Sequence, residues 1–152
     1  MTRAALTLLV MMLTATTAWA DDSGECGEGV TYYYNASTHT LTISGEGDIV
    51  MRPWEESFYD DIRTVVIEDG VTGIDGYAFM VCHSLNSVSI PSSVTRIGDS
   101  AFQQCFSLTS ISIPNSVTYI GSFAFEGCES LNSVSIPNSV TYIGQYAFEG
   151  CI

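Results

Sequence analysis

Four cysteines, Cys82, Cys105, Cys128 and Cys151, stand 23 residues apart, and the chain between them repeats with the same period. Residues 83–105, 106–128 and 129–151 each carry Ser-Leu, then Ser-hydrophobic-Ser-Ile-Pro, then Ser-Val-Thr-x-Ile-Gly, then an aromatic or Ser before Ala-Phe, and each closes on its cysteine. Residues 60–82 stay in register without a gap. There Ile62, Val65, Ile67, Val71, Ile74, Ala78 and Phe79 take the slots that Leu131, Val134, Ile136, Val140, Ile143, Ala147 and Phe148 fill in the last copy. A period of this length means a stack of similar coils. One coil alone buries too little apolar surface to offset its chain entropy, whereas stacked coils share a continuous core and derive stability from their neighbours. Matching residues should then form columns about 4.8 Å apart, with Leu85, Leu108 and Leu131 one above another in the interior.

Each coil reads as β-rich. Val88-Ser89-Ile90, Ile111-Ser112-Ile113 and Val134-Ser135-Ile136 alternate apolar and polar, the period of a half-buried strand. The serines of this strand, Ser87, Ser89, Ser110, Ser112, Ser133 and Ser135, are expected to face out. Pro91, Pro114 and Pro137 lack an amide donor and end the ladder, and Asn115-Ser116 and Asn138-Ser139 suit a turn. A second short strand follows over Val94-Thr95-Arg96-Ile97 and its copies. Gly98, Gly121 and Gly144 turn the chain, and Asp99-Ser100-Ala101-Phe102 with its copies is expected to form a single helical turn.

Composition narrows the partners. The chain has 152 residues, no lysine, four arginines and seventeen acids, a formal charge of −13. Such a surface repels phosphate backbones and anionic bilayers, so neither nucleic acid nor a membrane surface is an expected partner. Residues 1–20 read as a secretory signal: Arg3, an apolar run from Ala4 to Leu13 broken by Thr7, then Ala18-Trp19-Ala20 before a polar stretch. The run is shorter than the roughly 20 residues of a membrane span. Cleavage after Ala20 leaves three arginines against seventeen acids, a charge of −14, and no later segment long and apolar enough to span a bilayer. Asn35-Ala36-Ser37 makes Asn35 a glycosylation candidate in a eukaryotic host.

Motifs for chemistry are missing. Stacked side chains point the same way, a poor geometry for disulfides, and each cysteine of the ladder follows Ala-Phe, so buried free thiols are the simpler account. Cys26 stands alone before the array. No cysteine has a partner at zinc-site spacing. His39 and His83 accompany no nucleophile motif and read as lone surface histidines. Glu126 and Glu149, one coil apart, lack the framework of a calcium loop and read as a solvated face. No enzymatic activity, metal or cofactor is expected.

Ser107 to Gly121, Ser-Leu-Thr-Ser-Ile-Ser-Ile-Pro-Asn-Ser-Val-Thr-Tyr-Ile-Gly, and Ala124-Phe125-Glu126-Gly127-Cys128 resemble the BspA-like branch of leucine-rich-repeat proteins. Before the array, Cys26-Gly27, Thr40-Leu41-Thr42-Ile43-Ser44-Gly45-Glu46-Gly47 and Pro53-Trp54 are similar to the cap that often precedes such arrays. The resemblance implies an α/β leucine-rich-repeat solenoid, β-rich, with 23-residue coils and a small N-terminal β cap: a cap over residues 21–59 and about four coils over 60–152. Tyr32, Tyr33, Tyr34 and Trp54 are then expected to cover the open end of the first coil. It also implies a secreted or cell-surface protein that binds host or microbial surface proteins in adhesion. Family arrays run on to further coils, so a truncated product that self-associates through an uncapped last coil is the alternative.

The candidate binding residues are Arg96, Tyr119 and Tyr142 of the second strand and Ser110, Ser112, Ser133 and Ser135 of the first. Tyr with Ser supplies rigid amphipathic area beside small hydrogen-bonding groups. Equally, Ser and Thr suit any solvated sheet and the tyrosines can stack on each other.

Overall fold

The computed structural model describes residues 20–152. The signal expected over residues 1–20 lies outside them except for Ala20. Strands β1 (Asp22–Gly27), β2 (Val30–Asn35) and β3 (Thr40–Gly45) form an antiparallel meander. Every later pairing is parallel. Strand β3 pairs with β5 (Thr64–Ile67), which pairs with β7 (Ser87–Ser89), and β9 (Ile111–Ser112) pairs with β11 (Val134–Ser135). A second sheet runs through β4 (Gly47–Ile49), β6 (Val71–Ile74), β8 (Arg96–Ile97), β10 (Tyr119–Ile120) and β12 (Tyr142–Ile143). Its registers, Gly73 to Arg96 to Tyr119 to Tyr142, advance by the repeat length. The result is a β-solenoid of about five turns, because β3 and β4, within the stretch expected as a cap, already stack on the coil that follows.

The columns are filled as the periodicity requires. Leu85 and Leu108 are fully buried and Leu131 is 2% exposed. Val94, Ile97, Val117 and Ile120 are sealed beside them. Each such side chain contributes about 1.5–3 kcal/mol by leaving water. An aromatic spine runs through the core: Phe79, Phe102, Phe125 and Phe148 stack at centroid separations of 5.2, 5.3 and 5.2 Å. Trp54 completes it, lying flat on Phe79 at 5.5 Å, while Tyr34 stacks on Phe58 at 4.0 Å.

The expected helical turn does not form. Among the described residues there is no α-helix, only two short 3-10 turns, Pro53–Glu56 and Tyr59–Asp61. The segment after each second strand instead spends alternate amides on the next coil. Ser100, Phe102 and Gln104 donate to the carbonyls of Ser122, Ala124 and Glu126, while Ala101, Gln103 and Cys105 donate three residues back. Amides pointing along the stack cannot also close helical rings. The backbone alternates accordingly, with Ser100 and Gln104 at φ of 55 and 59°. The helical half of the α/β expectation therefore gives way to an all-β coil.

This one-way ladder leaves the carbonyls of its first coil in need of donors, and two side chains supply them. The Trp54 indole donates to the Ala78 carbonyl at 3.0 Å, and the Arg52 guanidinium reaches the Met80 carbonyl at 3.3 Å, touching as well the Tyr77 carbonyl that already accepts the Met80 amide. Trp54 thus covers the first coil as expected. Tyr32 and Tyr34 are buried with it, whereas Tyr33 is exposed.

Candidate binding face

Residues of the second sheet present a continuous outward column. Ile74, Ile97 and Ile120 point to the core, so Arg96 and Tyr119 point out, while Gly73 is buried beneath the side chains of Asp48 and Arg96. Tyr119 and Tyr142 lie ring on ring, 4.8 Å apart and 5° from parallel, and are 36% and 48% exposed. Burial and the nearby Asp99 carboxylate push the Tyr119 hydroxyl pKa up, keeping it a neutral donor. Arg96 is clamped at the head of the column. Its guanidinium meets Asp48 at 2.7 Å and Asp75 at 3.3 Å. The Thr72 hydroxyl and Arg96 hold the Asp48 carboxyl below the ordinary range, and Asp48 in turn raises Arg96.

The serine row lies elsewhere. Ser110, Ser112, Ser133 and Ser135 are exposed along β9 and β11, strands of a different sheet from β10 and β12. The structure therefore unites Arg96, Tyr119 and Tyr142 and separates them from the serines. Three sheets enclose one core, β9 and β11 making a two-stranded one of their own, and the outward residues of different sheets face different ways.

A second aromatic column lies outside the candidate binding residues. Tyr77, Phe123 and Tyr146 occupy the slot before Ala-Phe and are 53%, 37% and 57% exposed. All three have left-handed backbone, at φ of 65, 58 and 57°, a conformation that costs a residue with a Cβ about 1–2 kcal/mol. Phe123 and Tyr146 stack at 5.4 Å. The available signal was an aromatic recurring beside an Ala-Phe pair that already fills the core; assigning the segment to a helical turn concealed it.

The other singled-out residues take structural parts. Among the described residues all five cysteines are free. The thiols of Cys105, Cys128 and Cys151 donate to the carbonyls of Phe79, Phe102 and Phe125, at 3.2, 3.2 and 3.3 Å, one coil back. Burial pushes Cys82 and Cys128 up to about 12 and Cys26 up to about 11, so none offers a thiolate nucleophile near neutral pH. The histidines are not lone: His39 Nδ1 lies 3.3 Å from the Tyr34 hydroxyl, and His83 Nδ1 lies 2.9 Å from Asp60 and stacks on Phe106. Glu126 accepts a hydrogen bond from Gln103 at 2.6 Å. Asn35 is occupied in its hairpin, its carboxamide oxygen accepting from the amides of Ser37 and Thr38 and the Ser37 hydroxyl. Among the described residues no group of three or more His, Cys, Asp or Glu is placed to hold a metal. None of their helices is long and apolar enough to cross a membrane.

Solved structures share this architecture. A leucine-rich repeat protein of Eubacterium ventriosum superposes with a TM-score of 0.69 over 88% of this chain, at 23% identity, a likeness of fold. A leucine rich cell surface protein of Faecalibacterium prausnitzii gives 0.65 over 83% at 29% identity, and the leucine-rich repeat protein of T. pallidum gives 0.61 over 84% at 28%. The chain spans 36% of the length of the first two and 68% of the third. No curated protein matches. A family model described as BspA type leucine rich repeat region matches residues 55–152 in six copies. With the stacked coils, the leucine columns and this match over most of its length, the chain belongs to the BspA-type leucine-rich repeat family.

Proposed function

We propose that the protein is a secreted or cell-surface binding scaffold that adheres to host or microbial proteins through the outward face of its second sheet. The observation that carries this reading is the stacked, exposed Tyr119–Tyr142 pair on a regular sheet whose coils already satisfy their own core. Exposed aromatic rings held flat by a rigid frame lose little entropy on contact, which is why such residues dominate recognition surfaces. A relative described as a cell surface protein supports the location. The direct test is binding to immobilised matrix proteins. Wild type should bind, and Tyr119→Ala/Tyr142→Ala should bind about ten-fold less, roughly 1.4 kcal/mol. Equal binding by both, or binding by neither, removes the proposed face.

A second reading is self-association through the apolar cleft of the last described coil. Leu131, Val134, Ile136, Phe148, Cys151 and Ile152 line an apolar cleft of about 290 Å³ there. Concentration-dependent oligomers in light scattering support it, and a monomer at all concentrations counts against it.

A further inference from the structure

The left-handed aromatic column has one gap. Ser100 takes the slot filled by Tyr77, Phe123 and Tyr146 in the other coils, and it is 5% exposed with φ of 55°. The missing ring leaves Tyr77 and Phe123 two coil spacings apart, about 10 Å. Beside the gap is a cleft of about 350 Å³, lined by Asp75, Tyr77, Arg96, Asp99 and Tyr119. We propose that this cleft receives an arginine or lysine side chain of the partner protein, its charge met by Asp75 and Asp99 and its flat face or stem by Tyr77 and Tyr119. The inference rests on the reading of the second sheet as a binding face and names the chemistry that face selects.

Charge decides the class of ligand. Asp75 and Asp99 line the cleft with Arg96, whose charge is already met by Asp48 outside it, so the cleft is negative. Arg96 is already committed to Asp48, and its contact with Asp75 is long at 3.3 Å, which leaves Asp75 able to take a second cation. The Ser122 amide, 2.8 Å away, holds the Asp99 carboxylate in place. A carboxylate beside exposed ring faces is the lining that binds cationic side chains, through ion pairing and cation–π attraction together. An anion would be repelled. A neutral sugar would stack on the rings but leave the carboxylates dehydrated without a counter-charge. The seventeen acids of the chain also steer basic partners toward it at range.

The exposed ring of Tyr77 fits this use. Tyr77 shares its left-handed backbone with Val81, Ser100 and Gln104, and it is 53% exposed, so its ring face is open to a partner side chain.

The test is a fluorescence-anisotropy titration of the whole protein with three labelled probes: a short Arg-Ser peptide, its Glu-Ser counterpart and a neutral glucose oligosaccharide. Wild type should bind the Arg-Ser peptide, more weakly as salt rises, and neither other probe. Asp75→Asn/Asp99→Asn should weaken peptide binding about ten-fold or more. The remote pair Glu126→Gln/Glu149→Gln removes the same charge and should change it less than about two-fold. Tyr77→Asn suits the left-handed backbone, should keep its melting temperature, and should lose about three-fold. Equal losses from the two charge pairs, no loss from any variant, or binding of the oligosaccharide in place of the peptide overturns the assignment. Peptide binding that depends on Asp75 and Asp99, without matrix-protein binding, leaves the cleft standing and removes the adhesion reading. Matrix-protein binding that needs Tyr119 and Tyr142 but not Asp75 and Asp99 does the reverse.

Discussion

Each ladder cysteine does two jobs that a larger or more polar residue could not combine. Cys105 and Cys128 are fully buried between coils, small enough for the column, and still satisfy a carbonyl of the preceding coil. The consequence is measurable. Below the ordinary thiol value of 9.0 both folded and unfolded chains keep their thiols protonated, so the buried thiols impose no penalty. Above it, the unfolded chain releases protons that the folded one retains until about 12, so the folded state binds more protons and loses stability as pH rises through that window. Urea midpoints should therefore hold steady up to about pH 9 and fall steeply beyond it. A thiol reagent at neutral pH should label the native protein slowly, reaching half-buried Cys151 first, and label all five on unfolding. Rapid labelling of Cys105 in the native state would contradict the ladder.

At the scale of the element, the end of the stack is the part that needs a special solution. Strands in a sheet can terminate in water, but the turn ladder donates in one direction only, and its first carbonyls face Arg52 and the 3-10 turn that carries Trp54. Trp54 serves both as the last ring of the phenylalanine spine and as a donor to Ala78. Trp54→Phe should keep the stack and lose the hydrogen bond, costing about 1–2 kcal/mol. Trp54→Ala should also open a cavity against Phe79 and cost about 3–5 kcal/mol. Chemical denaturation monitored by circular dichroism separates the two, and equal losses would show that the ring contributes nothing beyond its indole N–H. The outer edge of the meander, β1, carries Asp22 and Glu25, charges that discourage another strand from pairing there.

Across the whole molecule, stability is a sum of neighbour contacts, so position in the stack sets the cost of a change. Leu108 has coils on both sides and is sealed, whereas Ile143 of the last described coil is 48% exposed. Leu108→Ala should cost about 2–5 kcal/mol, and Ile143→Ala less than half of that. Hydrogen exchange should grade in the same way. The amides of Phe123, Phe125 and Gly127 donate to the next coil, while their counterparts in Tyr146, Phe148 and Gly150 have no backbone acceptor among the described residues and should exchange fastest. Uniform protection along the array would show that the coils open together rather than as neighbours.

Much of this was legible in the residue order. Periodicity alone required columns, and alternation assigned Val88 and Ile111 inward and Ser89 and Ser112 outward, because a side chain one residue off register would exchange core for water. Proline placed the strand ends: the carbonyls of Pro91, Pro114 and Pro137 accept the amides of Val94, Val117 and Val140 in tight turns. The helical turn was misread because Asp-Ser-Ala-Phe is locally compatible with a helix, and only a coil on the next level can claim the amides of Ser100 and Phe102. The binding residues divided for the same reason. A linear pattern says which side chains leave the core but not which sheet they leave from, so Tyr119 and Ser112 looked like neighbours. What the sequence determined by itself is the repeat, the buried columns and the outward tyrosines, since each follows from a spacing within one coil. The one-way amide ladder and Trp54 at its head come from contacts between coils. Those were decided only when the chain was stacked.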